Sequence, residues 1–171
     1  MNPIDIHREG LRWGYELLEM VTADVTAEQA AWLPPGLANP LGSMYAHAVL
    51  GLDILINGLL RGAAPLHASA WAGKTGVSEP QLSAEFEWAR RLTVDLPAMR
   101  AYGRAAYENA DAYLAGLSVD DLNRQVDLSS EGMGVRTVSW VLTALITSHL
   151  NNMAGEISVL KGLQGAKGYP F

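Results

Sequence analysis

The sequence predicts an all-α fold, a four-helix bundle forming a single domain over residues 1–171. Three observations predict it. Four long stretches repeat apolar residues at three- and four-residue spacing, which places them on one face of a helix. The connections between them are rich in Gly, Pro and Asn, which interrupt helices. Finally, 171 residues at 49% hydrophobic composition suffice to bury one substantial core and are close to the usual size of one domain. Helices joined by short polar connections pack as an up-and-down bundle.

The first helix is expected from about Ile4 to Val21, with Leu11, Tyr15 and Leu18 along its apolar face. Thr26, followed by Glu28 and Gln29, starts a short capped helix. The run from Pro34 to Pro40 cannot continue it, because proline lacks the amide donor and clashes with the preceding turn. Ser43 is expected to cap a second long helix to about Leu60, closed by Gly62. On that helix His47 shares a face with Leu50, Gly51, Ile54 and Gly58.

Residues 62–80 read as an irregular connection, long enough to be either a functional lid or simply mobile. Its Trp71 either covers a pocket mouth or, as such aromatics more often do, pins the loop to the core. A helix is expected from Gln81 to Leu92, and another from Asp95 to about Gly116 with Pro97 in its first turn. Arg124 to Leu128 alternates polar and apolar residues before Gly132 and Gly134, as a small two-stranded excursion would. The last helix runs from Thr137 to Gly162, with Leu142, Leu145, His149, Asn152, Glu156 and Val159 on one stripe.

Composition excludes several functions. The net charge is −6 and the twelve Lys and Arg form no basic stripe, which argues against nucleic-acid binding by phosphate neutralisation. The absence of cysteine rules out disulfides, thiolate zinc sites and a cysteine nucleophile, and fits a reducing, cytoplasmic setting. The polar, charged N-terminus lacks the apolar run of a signal peptide. The most apolar segment, about Met44 to Leu60, is interrupted by His47, Asp53 and Asn57 and falls short of the roughly 20 apolar residues of a membrane span. It reads as a buried core helix, and no membrane partner is expected.

The candidate site rests on His47 and His149. Residues four apart on a helix stack on one face, so positions 149 and 153 can aim two side chains at one point. Position 153, however, holds methionine. Two imidazoles and a water could hold a divalent ion such as zinc or nickel, but a neutral thioether is a poor third ligand for either. Binding is therefore expected to be weak or absent. Glu156 lies on the same stripe, about 10 Å along the axis from His149 by the helical rise. Asp53 points away from the His47 face and is not included. His7 and His67 are expected to be solvated. The alternative for His47 and His149 is that each is a core histidine hydrogen-bonded to its surroundings. The serines have no nucleophile-elbow context, the glycines form no phosphate loop, and no catalytic residue can be named.

The stretch from Val25 through Trp32 to Pro35, His47 on the second long helix, and His149-x-x-x-Met153-x-Gly155-Glu156-Ile157 resemble the DinB-like, or YfiT-like, superfamily of four-helix bundles. The tail from Leu160 to Phe171 is also similar to tails in that superfamily. The resemblance implies an up-down-down-up bundle, often a homodimer. It also implies a metal held by a helix-2 histidine and a His-x-x-x-His pair in the last helix, which serves metal-dependent hydrolysis or transfer reactions of low-molecular-weight thiols. Carried onto this chain, His47 and His149 match two of the ligands and Met153 stands in place of the third. The expectation is a degenerate metal-site pocket bounded by His47, His149, Met153 and Glu156, with metal-dependent hydrolase or thiol-transferase activity. The alternative is a non-catalytic bundle that binds a small molecule or serves as a structural dimer.

Overall fold

Pro3 sits in the first turn of a helix, where its missing amide costs nothing, and the Asn2 side chain accepts from the Ile4 amide at 3.0 Å. Helix α1 runs Pro3–Thr22 in the computed structural model, which describes residues 2–171. The Thr26 cap forms as expected. Its hydroxyl accepts from the Gln29 amide, the Gln29 side chain accepts from the Thr26 amide, and α2 covers Ala27–Ala31.

Helix α3, Leu41–Asp53, starts two residues before the expected cap. Pro40 supplies an extended entry at φ −57° and ψ 147°, and Ser43 lies inside the first turn, buried, with its hydroxyl donating to the Pro40 carbonyl at 2.8 Å. The helix then widens into a π-helical segment, Ile54–Leu60, where the Arg61 amide donates to the Ile56 carbonyl five residues back. Leu41–Leu60 is thus 20 residues long, and an 18-residue window of it, with a mean hydropathy of 1.4, is apolar enough to cross a membrane by length and composition alone. In the fold, 72% of that window is buried within the protein, as the core helices of folded domains are.

Residues 62–80 hold a 3-10 turn at Leu66–Ala68 and a single β-bridge from Val77 to Val94. Trp71 tilts against Tyr102 with ring centroids 5.8 Å apart, so it packs the loop onto the core. The helix expected from Gln81 to Leu92 is shorter, with α4 covering Phe86–Arg91. The physical reason lies in the backbone of the preceding residues. The carbonyls of Ser83 and Ala84 are taken by the side chains of His47 and Asn39 instead of by helical amides. Helix α5, Leu96–Ala115, is capped by Asp95, whose carboxylate accepts from the Ala98 amide.

The two-stranded excursion is present, with β1 (Gln125–Leu128) pairing antiparallel with β2 (Gly134–Thr137) and Asp127 opposite Val135. Gly132 and Gly134, at φ 72° and 65°, supply the left-handed turn. The fold is therefore mostly helical but not strictly all-α. Thr137 caps α6 (Val138–Trp140), a second π-helical segment covers Val141–Thr147, and α7 runs Ser148–Leu163.

Four main helical rods make the core. α1 packs on α5 and α7, and α3 packs on the same two. Arg8 pairs with Asp111 while Arg100 reaches the Thr22 carbonyl, so α1 and α5 run antiparallel. A Cβ added to Gly10 would lie 3.2 Å from Thr147 and one on Gly14 3.1 Å from Leu150, while Lys161 donates to the Val21 carbonyl. Those contacts make α1 and α7 parallel and closely approached. Leu18, Val49, Met99, Ala110 and Ile157 are completely buried between the rods.

Candidate functional site

His47 lies on α3, facing α7, and His149 lies in the first turn of α7, just after the π-helical segment. The structure brings them together edge to face, with ring centroids 4.9 Å apart and planes at 83°. Gly51, one turn after His47, faces the second ring, and a Cβ placed there would meet His149 Cδ2 and Nε2 at ordinary contact distance, 4.0 Å.

The two imidazoles are held differently. His47 Nδ1 lies 2.9 Å from the Ser83 carbonyl. A carbonyl can only accept, so Nδ1 carries the proton and Nε2 presents its lone pair. Burial lowers the pKa of His47, and the Ser83 carbonyl partly opposes that shift. Among the described residues none hydrogen-bonds to the His149 ring. Burial first, and the neighbouring His47 second, push it down to about 4. Both are neutral at neutral pH, and His149 keeps its hydrogen-bonding capacity free.

Two depressions meet at His47. The first, about 460 Å³, also contains His149 and is walled by both π-helical segments, through Ile54 and Leu55 on one side and Ala144 and Leu145 on the other. The hairpin closes it with Leu128 and Met133, and Asp127 and Glu131 stand at its rim. The second, about 840 Å³, runs along α7 past Met153 and Glu156 towards Met44 and Asn39. Met153 is buried and lines this second depression with His47, not the one containing His149. Glu156 is exposed at its edge.

The residues present do not make up a three-ligand divalent site. The third position is a buried thioether, and among the described residues no group of three or more His, Asp or Glu could hold a metal ion.

Several contributors were missed from sequence. His67 is not solvated, because its ring and amide contact Asp53, a carboxylate only 1% exposed that also takes Tyr102, Asn57 and the Leu66 amide. His7 is half-buried and pairs with the Ser139 hydroxyl at 3.0 Å, and burial lowers its pKa. Asp53 and Asn57, four apart in an apolar run, were a readable sign of a buried polar pair. The Ser83 contact had no such sign, since it is a backbone carbonyl of an irregular segment.

Residues 11–155 match the family profile described as the DinB superfamily. No curated protein is detectably similar in sequence. Among solved structures, the crystal structure of a conserved protein from Enterococcus faecalis is similar at a TM-score of 0.79 and 20% identity, covering 95% of this chain and 97% of that one. At that identity the likeness speaks for the fold, and the family profile, matched over most of the chain, carries the assignment. The chain belongs to the DinB superfamily.

Proposed function

We propose that this protein binds a small, mostly apolar molecule in the cavity between the two π-helical segments, with the polar end of the molecule against His47 and His149. The observation that carries this reading is the free, neutral His149 ring at the end of an apolar cavity. A half-buried polar ring without a protein partner loses water contacts and gains nothing, unless a ligand supplies the missing bond. Widened helical turns also recur at functional sites, and here two of them wall one cavity.

A screen of small apolar alcohols, read by the His149 ring resonances in NMR, tests this. Binders should shift those resonances in the unaltered protein, and by calorimetry His149→Ala should weaken their binding by about 10-fold, the worth of one net hydrogen bond. Binders indifferent to that substitution would sink the reading.

The second reading is a weakly held divalent ion on His47 and His149, with the remaining positions filled by solvent or ligand. It is favoured by the lone pair that His47 Nε2 presents while its Nδ1–H is fixed by a carbonyl, as metal-binding imidazoles usually are. Elemental analysis separates the two. A divalent ion that co-purifies and is removed by His149→Ala supports the metal, and with it the hydrolase or thiol-transferase chemistry. Metal-free protein that takes up neither zinc nor nickel leaves the small-molecule site.

A further inference from the structure

The small-molecule reading leaves the chemical class of the ligand open, and the charges around the cavity narrow it. No Lys or Arg lines either depression at His47. The charged groups that do are all carboxylates, with Asp127 and Glu131 at the rim of the first and Glu156 in the second. The arginines of the adjoining segments are engaged elsewhere. Arg124 donates to the Leu60 carbonyl at 2.7 Å, Arg61 to Asn57 and Asn109, and Arg136 lies over the Trp140 ring at 5.1 Å.

The inner end of the cavity has a matching polarity. Because the Nδ1–H of His47 is committed to Ser83, its Nε2 can only accept. A hydroxyl or an ammonium group donates to such a nitrogen, whereas a carboxylate or phosphate oxygen meets it lone pair to lone pair and is left with only the single N–H of the neutral His149 ring. The walls between these ends are aliphatic, from Ile54, Leu55, Leu128 and Leu145. Such walls take up hydrocarbon because its apolar surface leaves water.

We infer that the site selects neutral or cationic amphiphiles, alkyl alcohols and alkyl amines, and rejects carboxylates and phosphates. This rests on the small-molecule reading of the cavity. The discriminating experiment uses octylamine, octanol and octanoate, which share a tail and differ in head group, titrated into the intact protein at neutral pH. Affinity is read by calorimetry and location by the His149 resonances.

Octylamine and octanol should bind with octanoate at least about 10-fold weaker. The paired substitution Asp127→Asn, Glu131→Gln should cut the amine-to-carboxylate ratio about threefold or more, as removal of partly screened charges would. Both positions are exposed, and Asn at 127 keeps the oxygen that accepts from the Ser129 amide. Octanoate binding as tightly as octylamine would overturn the inference while leaving the cavity reading in place. An amine preference unchanged in the paired variant would overturn it too. Silence from all three compounds would overturn the cavity reading itself.

Discussion

The Tyr102 hydroxyl donates to Asp53 Oδ2 at 2.6 Å from the neighbouring α5, and both side chains are almost completely buried. Asp53 is the knot that ties the 62–80 connection to the bundle, because it also accepts from the amides of Leu66 and His67. Burial pushes its carboxyl up, but Tyr102, the two amides and Asn57 outweigh that and hold it below its ordinary value. A hydrogen bond to a buried charge is worth about 1.5–3 kcal/mol. Tyr102→Phe should therefore lower the unfolding free energy by about 2 kcal/mol in denaturant titration, and a loss under about 0.5 kcal/mol would contradict this role. A depressed carboxyl stabilises the fold above its unfolded pKa, so this contribution disappears as the pH falls through the folded value.

His149 predicts a loss of stability at a higher pH. Its folded pKa of about 4 lies below the unfolded 6.5, so on acidification the unfolded chain takes up a proton first. The stability is present above 6.5 and is lost as the pH falls towards 4. After allowance for solvent access, the loss should be about 2 kcal/mol. His47 shifts the same way, whereas Glu19, whose carboxyl is raised by burial against the pull of Tyr45, acts in the opposite sense. The useful measurement is thus a difference. The gap in stability between wild type and His149→Gln should narrow as the pH is lowered from 7 to 4, and a gap independent of pH would refute the assignment.

The helical rods were legible because apolar spacing is a local property, as at Leu11 and Leu18, and so were their breaks at Pro34–Pro40. The hairpin was legible from alternation around Val126 and Leu128 and from Gly132 and Gly134, with one residue between them. The facing of His47 and His149 followed from two helix faces. What escaped was made by distant partners. Tyr102 lies 49 residues from Asp53, and the Ser83 carbonyl lies 36 from His47. The π-helical segments escaped for another reason. Over seven residues their periodicity is hardly separable from that of an α-helix, yet they set the cavity walls. The position of Met153 was readable, but the division of space that puts it in one depression and His149 in another was not.

Gly76 anchors the same long connection at its other end. Its carbonyl accepts from the Asp95 amide at 2.7 Å, beside the bridge between Val77 and Val94. Its φ is +77°, and an added Cβ would lie 2.6 Å from the Asp95 carbonyl oxygen and 2.7 Å from the Met99 amide nitrogen. Backbone strain and overpacking together should cost about 3 kcal/mol in Gly76→Ala. Gly132 has a similar φ of +72° but nothing within 4 Å, so Gly132→Ala should cost only about 1 kcal/mol. Equal shifts in melting temperature for the two variants would show that the contact at α5 contributes nothing.

Met153→His tests whether side chains at positions 47, 149 and 153 can converge on one ion. Met153 follows His149 by one turn, and His47 borders the depressions of both. A third imidazole from this position completes the donor number that holds zinc with one open place. The variant should bind zinc or nickel at least about 100-fold more tightly than wild type, measured by competition with a chelating dye, because one added protein ligand contributes several kcal/mol. His149→Ala in that background should abolish the gain, which separates binding at the site from binding at a surface imidazole. If Met153→His folds normally and gains no affinity, the geometry between α3 and α7 has moved beyond the reach of three ligands. That outcome favours the small-molecule reading over a metal site lacking only one ligand.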